Sequence, residues 1–96
     1  MIILRDIIQR RDDILAVAGK YGAHDVRIFG SVARGQAGAS SDLDMVVRFD
    51  PDRTLFDHGG LVMDLQDLLG VHVDVLDEEA LRPRFRNHVM KEAVTL

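Results

Sequence analysis

The stretch GSVARGQAGASSDLD, from Gly30 to Asp44, decides how this chain is read. It joins a Gly-Ser pair to an Asp-Leu-Asp triplet through a run of small residues, and two different devices have that composition. One is a surface connection between two elements. The other holds something both phosphorylated and metal-bound: Gly30 lets backbone approach a ligand closely, and Ser31 opens a helical turn whose free N–H groups favour an anion. Taken alone, Gly-Ser is better explained by Ser31 capping that turn.

The flanks of the loop read as strands. Val26, Ile28 and Phe29 mark a short buried strand over Asp25–Phe29, closed by Gly30. Beyond Asp42, the run LDMVVRF alternates Leu43, Met45, Val47 and Phe49 against Asp44, Val46 and Arg48, which is strand periodicity over Leu43–Phe49. Residues i and i+2 share a face, so Asp42 and Asp44 bring two carboxylates together at the start of this strand. That repulsion costs stability unless a proton or a cation relieves it, and a divalent metal is the simplest remedy.

A third strand, Val71–Leu76, places His72, Asp74 and Leu76 on one face and Val71, Val73 and Val75 on the other. Beside LDMVV, it would add Asp74 as a third carboxylate. Read alone, Asp74 is equally an edge charge that resists aggregation. Three oxygen ligands with no Cys and no His cluster favour Mg2+ or Mn2+ over zinc. His72 reads as a structural neighbour of this group rather than a ligand.

Helical periodicity accounts for the rest. Leu4, Ile7, Ile8, Leu15 and Ala18 form one amphipathic helix running from Leu4 to Tyr21 before Gly22. Leu61, Val62, Leu65, Leu68 and Leu69 form a second, stopped by Gly70 and with a start weakened by Gly59 and Gly60. Pro83 opens a last helix with Phe85, Val89 and Ala93 along one side, and Arg82, Arg84 and Arg86 read as a solvated face. The expected fold is α+β: a small mixed sheet of three core strands, with helices packed on one face and the aspartates on the other.

With 96 residues the chain has room for one modest core, so residues 1–96 read as a single domain. A net charge of -4 argues against direct nucleic-acid binding. Without cysteine neither disulfides nor thiolate metal sites contribute, and a reducing cytoplasm fits. Arg5, Asp6, Arg10 and Arg11 interrupt the apolar N-terminus before a signal-peptide core or membrane span can form.

Together GSVARG at 30–35, SDLD at 41–44 and VDVLD at 73–77, with the closing LRPRFRNHVMKEAVTL, make the chain resemble the nucleotidyltransferase superfamily related to DNA polymerase beta. Within it, the chain resembles the minimal nucleotidyltransferase branch. The resemblance implies the polymerase-beta-like fold and nucleotidyl transfer from a triphosphate, with ATP as donor, to a hydroxyl. Position by position it implies that Gly30, Ser31, Arg34 and Ser41 contact the nucleotide, and that Asp42, Asp44 and Asp74 bind Mg2+ or Mn2+ and carry catalysis. Val32 departs from the branch, where a longer polar residue is common.

The resemblance also implies a partner. Members of this branch often act as antitoxins that adenylylate a tyrosine of a cognate HEPN-domain toxin. Two other readings compete. An antitoxin could neutralise its partner by covering a surface, without catalysis. An aspartate-based phosphohydrolase would use one aspartate of the pair as nucleophile, but such enzymes carry the pair after their first strand, not at the start of the second.

Overall fold

Two short helices, not one, open the chain in the computed structural model, which describes residues 2–36 and 42–96. Helix α1 covers Leu4–Gln9 and α2 covers Arg11–Lys20, with Arg10 between them at φ -103 and ψ 17. The Arg10 guanidinium donates to the Leu68 carbonyl at 2.8 Å, so the break aims a cation at the C-terminal end of a later helix. It also changes the phase of the apolar face. Ile14, rather than Leu15, is fully buried with Ile7 and Ala18, and Ile8 is exposed.

The strands and remaining helices follow in chain order. Strand β1 covers Ala23–Phe29, starting two residues before the expected Asp25, and the single turn α3 covers Gly30–Ala33. Strand β2 has the expected limits, Leu43–Phe49. Helix α4 covers Leu55–Leu69 and β3 covers Val73–Asp77, later than the expected Val71–Leu76. After a 3-10 turn at Glu78–Ala80 come α5, Pro83–Glu92, and β4, Val94–Thr95.

The sheet order is β3-β2-β1-β4, with β1 antiparallel to both β2 and β4 and with β2 parallel to β3. This is the mixed sheet expected of an α+β fold. The fourth strand escaped the sequence reading because two residues carry no periodicity. Its place is fixed by pairing alone, Arg27 with Thr95 and Ile28 with Val94, extended by the Leu96 N–H donating to the Val26 carbonyl at 3.0 Å.

One face of the sheet carries the main core. Ile28 of β1, Leu43, Met45 and Val47 of β2, and Val73 and Val75 of β3 pack against Ile7, Ile14, Leu61 and Leu65 of the first helices and α4. No helix among the described residues is long and apolar enough to cross a membrane. The expectation of helices on one face holds for α1, α2 and α4, and α5 is the exception. Its Val89 packs with Phe29 and Val46 on the second face.

A buried carboxylate helps hold α5 there. Glu78, 4% exposed, accepts from Arg27 of β1 at 3.1 Å and from Arg86 of α5 at 2.8 Å, so its desolvated charge is met from two sides. Phe85, expected on the apolar side of this helix, is 47% exposed.

Helix α4 begins earlier than its glycines suggest because Thr54 caps it. The Phe56 N–H donates to Thr54 Oγ1 at 3.2 Å, and the Thr54 N–H donates to Asp57 Oδ2 at 3.0 Å. Gly70 ends it in the left-handed conformation, φ 70, as expected. Gly60 lets Tyr21 lie against the helix, since a Cβ there would meet the ring at Cζ 3.0 Å away, and Tyr21 donates to Asp64 at 2.6 Å.

Gly59 has open space around it. Helix propensity alone would make alanine stabilising at both positions by up to ~1 kcal/mol. We expect that gain for Gly59→Ala and a net loss of stability for Gly60→Ala, read as opposite shifts of the urea midpoint.

Candidate functional site

The site is built where β1 runs into α3. Gly30 adopts φ +74, a conformation that strains any residue with a Cβ. A Cβ at this position would also press on the Asp44 carboxylate, whose Cγ lies 3.1 Å away. The closeness follows from register, because Phe29 pairs with Asp44 across the antiparallel β1–β2 ladder. Gly30 and Asp44, read separately from the two ends of the loop, therefore touch.

The three aspartates converge as the sequence reading expected. Asp44 lies directly opposite Asp74 across the parallel β2–β3 pair, and Asp42 precedes it by two residues on the same side. The Asp44 carboxyl is pushed above its ordinary value of 3.8, first by burial and then by the negative charges of Asp74 and Asp42, with Arg34 opposing. Like charges facing each other across a ladder are destabilising, so this end of the sheet is electrostatically unfinished.

His72 lies beside the cluster, as the neighbour that the sequence suggests. Its Nδ1 is 3.3 Å from Asp42 Oδ2 and 3.9 Å from Asp74 Oδ1, and donor atoms of the three residues all lie within 4.8 Å of one another. The Leu43 N–H donates to the His72 carbonyl at 2.9 Å, which holds this residue beside the start of β2. The signal was legible: His72 stands two positions before Asp74 on a strand pattern, hence on the same face.

Glu92 is a participant that sequence reasoning missed. Oε1 accepts from the Gly30 N–H at 3.1 Å and from Arg34 Nη1 at 3.3 Å, and Oε2 accepts from Arg34 Nη1 at 3.0 Å. The end of α5 is thereby tied to the Gly-Ser turn and to the arginine that follows it. No local pattern could have shown this, since the contact joins residues 62 apart in the chain.

The other expected contacts divide. Ser31 lies on the α3 turn beside Gly30, while Val32 is buried in the core, so the departure noted there does not change a surface that faces the acids. Arg34 is held by Glu92 and by Gln36 Oε1 at 3.1 Å from its Nε, and its charge reaches Asp44. Ser41 lies outside the described residues.

Glu92 sits below its ordinary value of 4.5, chiefly because Arg34 hydrogen-bonds its charged form and secondarily because Gly30 does. A carboxyl so lowered stabilises the fold above its unfolded value and loses that contribution as pH falls through its folded value. We expect Glu92→Gln to cost about 1 kcal/mol at neutral pH, given that Arg34 is half exposed. The difference from the parent should shrink below pH 4.5, as urea titrations across pH would measure.

Comparison with known proteins bears on the family and the fold. A curated relative from Methanocaldococcus jannaschii, a candidate protein adenylyltransferase by name, is 35% identical over 84% of this chain and 87% of its own. A solved structure of a candidate minimal nucleotidyltransferase is 46% identical, superposes with a TM-score of 0.90, and covers 99% of this chain and 97% of that one. A toxin–antitoxin structure with AMP-PNP shares the fold at 19% identity, with a TM-score of 0.76 over 88% of this chain and 69% of that one. The family model for the nucleotidyltransferase domain matches residues 4–96, and the chain belongs to that family.

Proposed function

We propose that residues 1–96 act as one minimal domain that transfers the adenylyl group of ATP to a protein hydroxyl, a tyrosine of a cognate HEPN-domain toxin, and so serve as its antitoxin in the cytoplasm. The observation that carries the chemistry is the placing of Asp44 against Gly30 and opposite Asp74, with Asp42 alongside. The adenylyl donor is supported by the name of the Methanocaldococcus relative, and the toxin partner by the toxin–antitoxin neighbour with AMP-PNP, an ATP analogue.

In this reading Ser31 and the free N–H groups of the α3 turn receive the triphosphate, with Arg34 adding positive charge. Ser41 completes the nucleotide contacts. Asp42, Asp44 and Asp74 hold Mg2+ or Mn2+, which supply Lewis-acid charge to the attacking and leaving oxygens when bound. The tyrosine oxygen bonds to the α-phosphorus, the α–β phosphoanhydride bond breaks, and pyrophosphate leaves with the electron pair. The tyrosine proton passes to the Asp74 carboxylate or to water.

The test is mass spectrometry of the cognate partner incubated with the chain, ATP and Mg2+. A gain of one or more adenylyl groups is expected. A partner that is inhibited yet unmodified, across nucleotides and metals, would establish neutralisation by binding alone.

For Asp44→Asn we expect transfer to fall at least about 100-fold, the equivalent of roughly 3 kcal/mol. The fold should survive. The parent Asp44 keeps its proton in the native state above pH 3.8, where the unfolded chain has lost it, so its contribution to stability declines as pH rises through the folded value. Asparagine removes that decline, and Asp44→Asn should equal or exceed the parent in Tm at neutral pH without metal.

A further inference from the structure

We propose that His72 is itself a ligand of the cation held by Asp42 and Asp74, and that its imidazole makes this position select Mn2+ over Mg2+. The inference rests on the nucleotidyltransferase reading only for the presence of a cation on the acidic face; the identity of the ligand comes from the geometry of this chain.

Donor atoms bound about 2.1 Å from one ion lie roughly 3 Å apart when adjacent and about 4.2 Å apart when opposite. The His72 Nδ1 to Asp42 Oδ2 distance, 3.3 Å, and the His72 Nδ1 to Asp74 Oδ1 distance, 3.9 Å, fall between those limits. All three side chains are half exposed, at 60%, 47% and 51% for His72, Asp42 and Asp74, so an ion and its remaining waters can reach them. Backbone pairing fixes the arrangement: Leu43 holds the His72 carbonyl, and Leu43 and Asp44 pair with Val73 and Asp74.

Nitrogen at this position changes the metal preference. Mg2+ favours an oxygen shell of near-ideal octahedral geometry and dehydrates reluctantly, whereas Mn2+ takes the same carboxylate and water ligands but, as a first-row transition ion, gains more than Mg2+ from one added nitrogen. A neutral imidazole also brings a lone pair without a third negative charge, so it strengthens binding of a divalent ion without adding to the repulsion between Asp42 and Asp74.

The competing role for His72 is that of a protonated counter-ion to the two aspartates. A counter-ion would be displaced by a bound metal, not coordinated to it. The two roles therefore differ in one spectroscopic respect, coupling of the electron spin of Mn2+ to a ligand nitrogen.

The experiment titrates the full chain with Mn2+ alone, reading bound and free ion by electron paramagnetic resonance, with Mg2+ as competitor. Spin-echo modulation of the bound Mn2+ then reports directly coordinated nitrogen. Expected are at least about 10-fold tighter binding of Mn2+ than of Mg2+ and a nitrogen modulation that His72→Asn abolishes, with about 10-fold loss for Mn2+ and less than about 2-fold for Mg2+.

Bound Mn2+ without nitrogen modulation, lost on Asp42→Asn but not on His72→Asn, overturns the ligand role of His72 and leaves the metal-dependent reading standing. Absence of Mn2+ binding in the parent chain overturns both.

Discussion

The parallel pairing of Leu43 and Asp44 with Val73 and Asp74 is the constraint on which the rest of the structure depends. Burial of Leu43 and Val73 on the core face fixes the register, and a slip of one residue would expose both. That same register forces two carboxylates to face each other on the opposite side, with a third two residues away. The hydrophobic core thus maintains an electrostatic conflict that the chain alone relieves only in part, through Arg34.

Around it the fold closes from the other side of the sheet. Helix α5 is bound by a small apolar contact, Val89 with Phe29 and Val46, and by two carboxylates, Glu78 and Glu92, each paired with arginine. Glu92 reaches the backbone N–H of Gly30, so the last helix constrains the turn that carries the Gly-Ser motif. Arg34, a nucleotide contact in the proposed function, is preset by the same carboxylate. Residues 62 apart in the chain share one small volume, and disturbance of α5 will be felt at the motif.

Much of this was legible in the sequence, for local reasons. Leu43–Phe49 was readable to the residue because Leu43, Met45, Val47 and Phe49 alternate along one face, although Val46 on the other face is buried too, against α5. Asp42 and Asp44 were readable as a pair from the i, i+2 rule, and Gly70 as a stop from its left-handed preference. The break at Arg10 was not, since it depends on a carbonyl of α4 that is distant in sequence. Nor was β4, whose two residues are held by pairing with β1. The nearness of His72 to the carboxylates was legible, because it stands two positions before Asp74 and so on the same face.

By itself, then, the sequence determined the three core strands, most of the helical segments, the mixed α+β class and the three aspartates, because periodicity, turn residues and spacing act over a few residues at a time. Tertiary structure decided which of those acids meet, that Gly30 touches Asp44, that His72 joins Asp42 and Asp74, and that Glu92 occupies the turn and holds Arg34. These contacts are settled by strand register and by the packing of α5 on the second face. Both arise from burying apolar surface across long separations, which no local pattern in the chain records.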